Sequence, residues 1–272
     1  MTTADKQLKV LVCIKQVPDT TDIKWTENNT IQRDGLDSVI NPFDLGALQI
    51  AKNLKFLNKN TEISVVTMGP KQAKNALKEA IAICADKAYL LCDKKFAGSD
   101  TLATAYTLSA FVKKVIPDFD LIICGQQAVD GDTAQTPSSL AQKLDIEQIT
   151  NVVAIKSLEP DSSVWIKDTQ FYKQELKVKH PALIAVKIDN ITMIPTINGH
   201  IKSQDTPIVE LCAEDIEADP ASIGLKGSPT FVRKAFRHEI IRNTVLLQNE
   251  SGGNIAGYIL EEINKCRTAN NE

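Results

Sequence analysis

Three short segments of the 272-residue chain carry residue types that suit a phosphorylated ligand. The richest is Gly125–Thr136, which reads Gly-Gln-Gln-Ala-Val-Asp-Gly-Asp-Thr-Ala-Gln-Thr. Gly125 lets the backbone turn sharply off a preceding apolar run, and Gly131 allows a ligand to approach closely. Asp132 or Thr133 can cap a helix expected over 134–144. The positive end of such a helix attracts anions, and a pyrophosphate is a natural occupant. The same residues suit an ordinary capped loop equally well, and spacing alone does not choose between the two. The segment is neither a G-x-G-x-x-G fingerprint nor a Walker loop.

The second segment is Asn41-Pro-Phe-Asp44. Pro42 holds Asn41 extended, so Asn41 can present backbone and side chain to a planar heterocycle, with Phe43 as a wall. A plain helix start is the alternative. The third segment is Phe96–Thr104, in which Ser99 or Asp100 can cap a helix and Gly98 permits close contact. Hydroxyl residues at a helix N-terminus suit a second phosphate or a ribitol chain. Beside the first loop, this one points to a ligand larger than a mononucleotide.

No acid–base or nucleophile constellation occurs. His180, His200 and His238 stand in unrelated contexts, as solvated or core histidines would, and neither G-x-S-x-G nor H-E-x-x-H is present. Any redox or group-transfer chemistry must come from a bound cofactor. The six cysteines (Cys13, Cys84, Cys92, Cys124, Cys212, Cys266) include no C-x-x-C pair, so no metal site is expected and free, mostly buried thiols are. Cys13 and Cys124 sit at strand ends, where they could line a site.

The elements that must position these loops alternate. Short apolar runs at Lys9–Ile14, Glu62–Met68, Ala88–Cys92, Asp120–Gly125 and Pro181–Lys187 read as strands buried on both faces. Between them, helices are expected from Asn41 with Leu45, Leu48, Ala51 and Leu54 inward, after Gly69-Pro70, over Thr101–Val115, and over Ala134–Leu144. This alternation implies a mainly parallel, doubly wound α/β sheet, whose ligands bind beyond the carboxyl ends of its strands. Val152–Leu158, Ser163–Lys167 and Gln174–Val178 read as further strands of that sheet. From Asn190 to about Ser251 the chain is polar and poorly periodic, and a helix over Asn254–Cys266 follows, striped by Ile255, Tyr258, Ile259 and Ile263. A stretch that long without structure does not suit a compact monomer, so the expected division is an α/β domain over 1–189 and an arm with a C-terminal helix over 190–272, laid across a partner subunit.

Composition agrees. With 43% hydrophobic and 24% charged residues the chain has material for a core, and a formal net charge of -3 gives no reason to expect a nucleic-acid partner. No apolar run approaches the roughly 20 residues that span a bilayer. The polar N-terminus lacks a signal-peptide core, so the expected location is the cytoplasm, without membrane insertion.

Lys9–Lys15, Asn41–Asp44, Thr67-Met-Gly-Pro70 and Gln127–Gln135 together resemble, in order and spacing, the β subunits of electron-transfer flavoproteins, and the resemblance continues through Pro181–Lys187 and Gly224–Thr230. It implies an adenine-nucleotide α-hydrolase-like fold and a heterodimer with the α subunit. Simple carriers of this family hold AMP in the β subunit. The bifurcating kind holds a second FAD that accepts hydride from NADH and sends one electron to ferredoxin or flavodoxin. The other passes through the α-subunit FAD to a partner flavin dehydrogenase of acyl-CoA or lactate type. Phe96–Thr104 and Gly131-Asp132-Thr133 resemble the bifurcating kind, and AMP would not need the third polar loop. A chain of this kind is catalytic only within its complex.

The resemblance further implies that Cys13, Asn41, Phe43, Asp44, Met68, Gly125, Gln127 and Ala128 surround the adenosine. Asp130, Gly131, Asp132, Thr133, Gln135 and Thr136 would hold phosphates, and Gly98, Asp100, Thr101 and Thr104 would lie nearer the flavin half. Residues 190–201 correspond to the recognition loop, with Ile197 as the apolar anchor for the dehydrogenase. The chain departs from the family at Gln126, where Arg or Lys is common, at Thr169–Val178, and at Lys202–Pro207, which leaves the partner's identity open. A stand-alone nucleotide-binding protein of the same fold is the reading least suited to the long arm.

Overall fold

A computed structural model describes residues 6–19, 38–188, 191–230, 244–248 and 250–269. The side chain of Cys266, Asn190 at the start of the expected recognition loop, and His238 lie outside the described residues.

Residues with apolar side chains on both faces form the centre of the sheet. These are β1 (Leu8–Cys13), β4 (Thr61–Met68), β5 (Lys87–Leu91), β6 (Leu121–Gly125) and β10 (Ala182–Val186). Every residue of β6 and β10 is buried, as a strand covered on both faces requires. A small antiparallel pair, β2 (Gln16–Pro18) and β3 (Ser38–Ile40), stands apart. The hairpin strands β7 (Glu147–Glu159), β8 (Ser162–Asp168) and β9 (Lys173–Lys179) extend one edge, as expected. β11 (Ile208–Leu211) forms the other edge. Among the described residues these make one nine-stranded sheet in the order β11-β5-β4-β1-β6-β10-β7-β8-β9, antiparallel only at β7-β8-β9.

Helices α1 (Pro42–Leu57) and α2 (Lys74–Ile83) cover one face, where Leu48, Ile50, Leu54, Leu77 and Ile81 pack on Val12, Ile63, Val65 and Ile123. Helices α3 (Thr101–Val115) and α4 (Thr136–Leu144) cover the other, with Phe111, Val112 and Leu140 on Leu11, Val66 and Ile122. The sheet is therefore doubly wound. The chain runs outward from β1 through β4 to β5, then returns to lay β6 on the opposite side of β1. The strand order reverses there, so the carboxyl ends of β1 and β6 flank the switch point.

The span 190–251 is not without structure. It contains α5 (Ile197–Asp205), packed on α2, and β11, which pairs in parallel with β5. The compact unit that holds the sheet runs to Ala235, so the boundary expected at 189 falls inside it. Helix α5 offers one buried residue, Ser203, and few apolar ones, so its periodicity is weak. Tertiary contacts hold it, since Lys202 Nζ donates to Asp86 at 2.8 Å and to the Ala85 carbonyl at 3.0 Å.

The second unit, 236–272, contains α6 (Gly252–Ala269), longer at both ends than the expected helix. Ile255 and Tyr258 are half-buried, while Ile259, Leu260 and Ile263 are exposed. No described helix is long and apolar enough to cross a membrane.

Candidate functional site

The first turn of α1 grips three strand-end segments at once. Asn41, extended ahead of Pro42, is 1% exposed. Its Nδ2 donates to the Gln127 carbonyl at 2.8 Å, and its Oδ1 accepts from the Val129 N–H at 3.1 Å. Both ends of the amide are thus engaged with the loop after β6, and the side chain is not free to present itself to a heterocycle. Asp44 is buried as well. Its two oxygens accept from the N–H of Lys15 at 2.8 Å and of Gly125 at 3.1 Å, which ties the end of β6 to the residue two beyond β1.

Burial pushes the Asp44 carboxyl up to about 7, against the pull of the Lys15 N–H, the Asn41 amide and the Gly125 N–H. Because the folded value lies above the ordinary 3.8, the unfolded chain releases this proton first as pH rises. The group therefore lowers stability progressively between about pH 4 and 7, and the full penalty persists above that, on the order of 4 kcal/mol at most. Urea unfolding of the wild type and Asp44→Asn checks this: the stability of the wild type relative to the variant is expected to fall across that window. A pH-independent difference would contradict it.

Gly125 is required for a reason other than a sharp turn. A Cβ there would lie 2.2 Å from Asp44 Oδ1 and 2.7 Å from the Phe43 backbone carbon, so only glycine lets α1 sit this close to β6. Phe43 is half-buried against the same spot.

The loop that follows is shaped from within. The N–H groups of Gly131 and Asp132 donate to the Ala128 carbonyl, Gln127 donates to Asp132, and Lys15 Nζ reaches both oxygens of Asp130 at 2.7 Å. Asp132 (φ 50°) and Ala134 (φ 53°) are left-handed, a conformation that costs a non-glycine residue about 1–2 kcal/mol. These two residues delay the helix, so α4 begins at Thr136 and not at Ala134. Neither Asp132 nor Thr133 caps it: the N-cap is Gln135, whose side chain makes no cap hydrogen bond. The first-turn N–H groups of α4 therefore lack a side-chain cap, and a Cβ on Gly131 would meet no atom within 4 Å.

The third loop behaves differently. Asp100 caps α3 as expected, accepting from Leu102 at 2.9 Å and Ala103 at 3.0 Å. Desolvation works against its charge, but the Ala103 N–H, the Thr230 hydroxyl and N–H, and the Leu102 N–H hold its carboxyl below the usual range. Gly98 (φ 77°) does not open toward a ligand, because a Cβ would strike Leu225 at 2.6 Å. The Gly224–Thr230 segment clasps this loop: Gly224 N–H donates to Ser99 Oγ, the Asp100 N–H to Ser228 Oγ, and the Thr230 hydroxyl to Asp100. Thr101 Oγ1 donates to Gln135 Oε1 at 3.1 Å, which joins the N-terminus of α3 to that of α4. Thr104 is half-buried one turn further along α3.

Cys13 and Met68 end β1 and β4 and are half-buried against the α3–α4 side of the core. Two polar atoms near these strand ends, Gln126 Oε1 and Thr67 Oγ1, are buried without a partner among the described residues. Lys15, Ser228 and Thr230 were not anticipated as site residues. The signal for Lys15 was its position just past a strand end. For the other two it was the Gly224–Thr230 motif, whose contact with the third loop no local pattern discloses.

The expected docking residue stands apart from this cluster. Ile197 opens α5 and is 82% exposed, and Ile194 (82%) and Ile201 (56%) are exposed as well. His200 is also exposed, whereas His180 is half-buried and meets Ser163 Oγ at 3.0 Å.

Residues 28–215 match the electron transfer flavoprotein domain. The electron transfer flavoprotein subunit beta of Megasphaera elsdenii is 44% identical over 236 residues, covering 84% of this chain and 87% of that protein. The chain belongs to the electron transfer flavoprotein β-subunit family. The similarity to the caffeyl-CoA reductase-Etf complex subunit CarD of Acetobacterium woodii is 38% over 263 residues, 94% of this chain and 99% of that one. Protein FixA of Rhizobium meliloti is 38% identical over 239 residues, 84% and 81% of the two chains. In this electron transfer flavoprotein chain the α/β sheet with helices on both faces is the family's domain; the loops at Asn41 and after β6 stand at its switch point, and the loop after β5 joins them through Thr101 and Gln135.

Proposed function

We propose that this chain is the β subunit of an electron-bifurcating electron transfer flavoprotein, with FAD bound across the carboxyl ends of β1, β4 and β6. The observation that carries the reading is the joining of two helix N-termini, α3 and α4, through Thr101 and Gln135. A single phosphate position would suffice for AMP, whereas paired helix ends suit an extended dinucleotide. The residues fit such a group: the end of α4 lacks a side-chain cap, Gly131 leaves open space, and Gln126 Oε1 and Thr67 Oγ1 are buried polar atoms in want of partners.

When bound, the flavin supplies hydride acceptance from NADH and stepwise electron release, to ferredoxin or flavodoxin and, through the FAD of an α subunit, to an acyl-CoA or lactate dehydrogenase. The chain's own residues do the rest. Asn41 and Asp44 hold the β6 loop rigid from behind, and the Lys15–Asp130 pair fixes its far side. Asp130, Gly131, Asp132, Thr133, Gln135 and Thr136 surround the phosphates, with Gln127 and Ala128 nearer the adenosine. Cys13 and Met68 floor the adenosine pocket, and α3 with Thr101 and Thr104 borders the flavin half. Ile197 docks the partner dehydrogenase, and residues 236–272 embrace the α subunit.

The test is anaerobic addition of NADH to the purified αβ heterodimer while flavin absorbance is followed. Rapid bleaching is the expected result. A flavin that NADH leaves oxidised, but that a dehydrogenase partner reduces, would favour the simple carrier with AMP in this subunit.

A further inference from the structure

The cysteines at the switch point form a pair. Cys13 ends β1 and Cys124 lies one residue before the end of β6, and the parallel register sets them directly opposite each other. Both belong to the sheet face covered by α3 and α4, so their side chains point the same way. Neighbouring parallel strands lie about 4.8 Å apart, inside the roughly 4.4–6.8 Å that a disulfide spans between Cα atoms. Cys13 is half-buried and can meet a small reagent, whereas Cys124 is 6% exposed and can meet little besides Cys13.

We propose that Cys13 and Cys124 are a reversible dithiol–disulfide site, oxidised by hydroperoxide at Cys13 and resolved by Cys124. The Cys13 thiolate attacks one peroxide oxygen, the O–O bond breaks, and hydroxide leaves to be protonated to water. The product is a sulfenic acid on Cys13. Cys124 then attacks that sulfur, loses its proton to solvent, and expels hydroxide, which becomes a second water. The two sulfurs give up two electrons in all, and the peroxide takes both. Cys13 is the more exposed of the two, and the neighbouring Cys13 thiol together with burial pushes the Cys124 thiol above its ordinary range, so initiation falls to Cys13.

The bridge would lie beside a sensitive point. Lys15 is two residues past Cys13 and Gly125 is one past Cys124, and these two supply the N–H groups shared by buried Asp44. The proposal does not rest on the identity of the nucleotide, because added hydrogen peroxide suffices as oxidant.

The experiment treats the full-length chain with a slight excess of hydrogen peroxide, quenches it, and alkylates it without reduction before peptide mass mapping. The expected result is a Cys13–Cys124 cross-linked peptide, a loss of two hydrogens in intact mass, and full reversal by dithiothreitol. In Cys124→Ala no cross-link forms, and Cys13 instead gains oxygen atoms irreversibly. Alkylation of both thiols in the treated wild type would overturn the proposal. So would oxygen uptake on Cys13 with Cys124 still a thiol, or pairing of Cys13 with another cysteine.

Discussion

Gly125→Ala is expected to cost this protein about 3–5 kcal/mol of stability and to weaken retention of the nucleotide proposed for the loop after β6. The added Cβ would sit 2.2 Å from Asp44 Oδ1, 2.7 Å from the Phe43 backbone carbon and 2.8 Å from the Phe43 Cβ. None of these is the free tip of a flexible side chain. Asp44 is pinned by the Lys15 and Gly125 N–H groups, and the Phe43 atoms belong to the first turn of α1. Helix α1 must therefore move off β6. Overpacking of this kind costs about 1–3 kcal/mol, and the buried hydrogen bond from Gly125 to Asp44 adds roughly 1.5–3 kcal/mol when lost. The same shift drags Asn41 away from Gln127 and Val129, so the loop after β6 loses its backing. Urea unfolding and nucleotide retention on a desalting column measure both effects. Gly131→Ala is the contrast: its Cβ meets nothing within 4 Å, and a change within about 0.5 kcal/mol is expected. Equal midpoints for the two variants would contradict the account of Gly125.

Ile197→Ala is expected to slow electron transfer to the partner dehydrogenase at least ten-fold while leaving NADH oxidation by artificial acceptors unchanged. Ile197 and Ile201 are one helical turn apart on α5 and share an exposed face. An isoleucine buried on docking contributes about 2 kcal/mol more than alanine, close to a thirty-fold change in affinity. An exposed apolar anchor can be a hot spot of this kind. The substitution spares the fold, because α5 is fastened elsewhere. Thr196 Oγ1 accepts from the Gly199 N–H at 3.0 Å, and Lys202 binds Asp86. Steady-state assays with the dehydrogenase and with a dye acceptor separate the two activities. Parallel loss of both would contradict a docking role.

The legible parts of the fold were those set by local chemistry. β1, β4, β6 and β10 are apolar runs buried on both faces, and α3 spans Thr101–Val115 as its Asp100 cap and periodicity require. The start of α4 was not legible, because one of the left-handed residues that delay it is an alanine, which rarely adopts that conformation, and the other is an aspartate, which adopts it only occasionally. Helix α5 and strand β11 were missed because one buries a single serine and the other has four residues. In the site, residue choice was readable but role was not. Asn41 read as facing a ligand, and Asp44 was placed beside the adenosine only by the family resemblance, yet each is engaged with a segment more than eighty positions away in the chain. Gly98 read as room for a ligand, and the room is taken by Leu225.

Whether the joined ends of α3 and α4 hold a dinucleotide is decided by counting cofactors. The αβ heterodimer would be purified without added nucleotide and denatured, and the released FAD and AMP quantified per protein by chromatography. Two FAD and no AMP are expected for each heterodimer. One FAD together with one AMP would contradict a dinucleotide there.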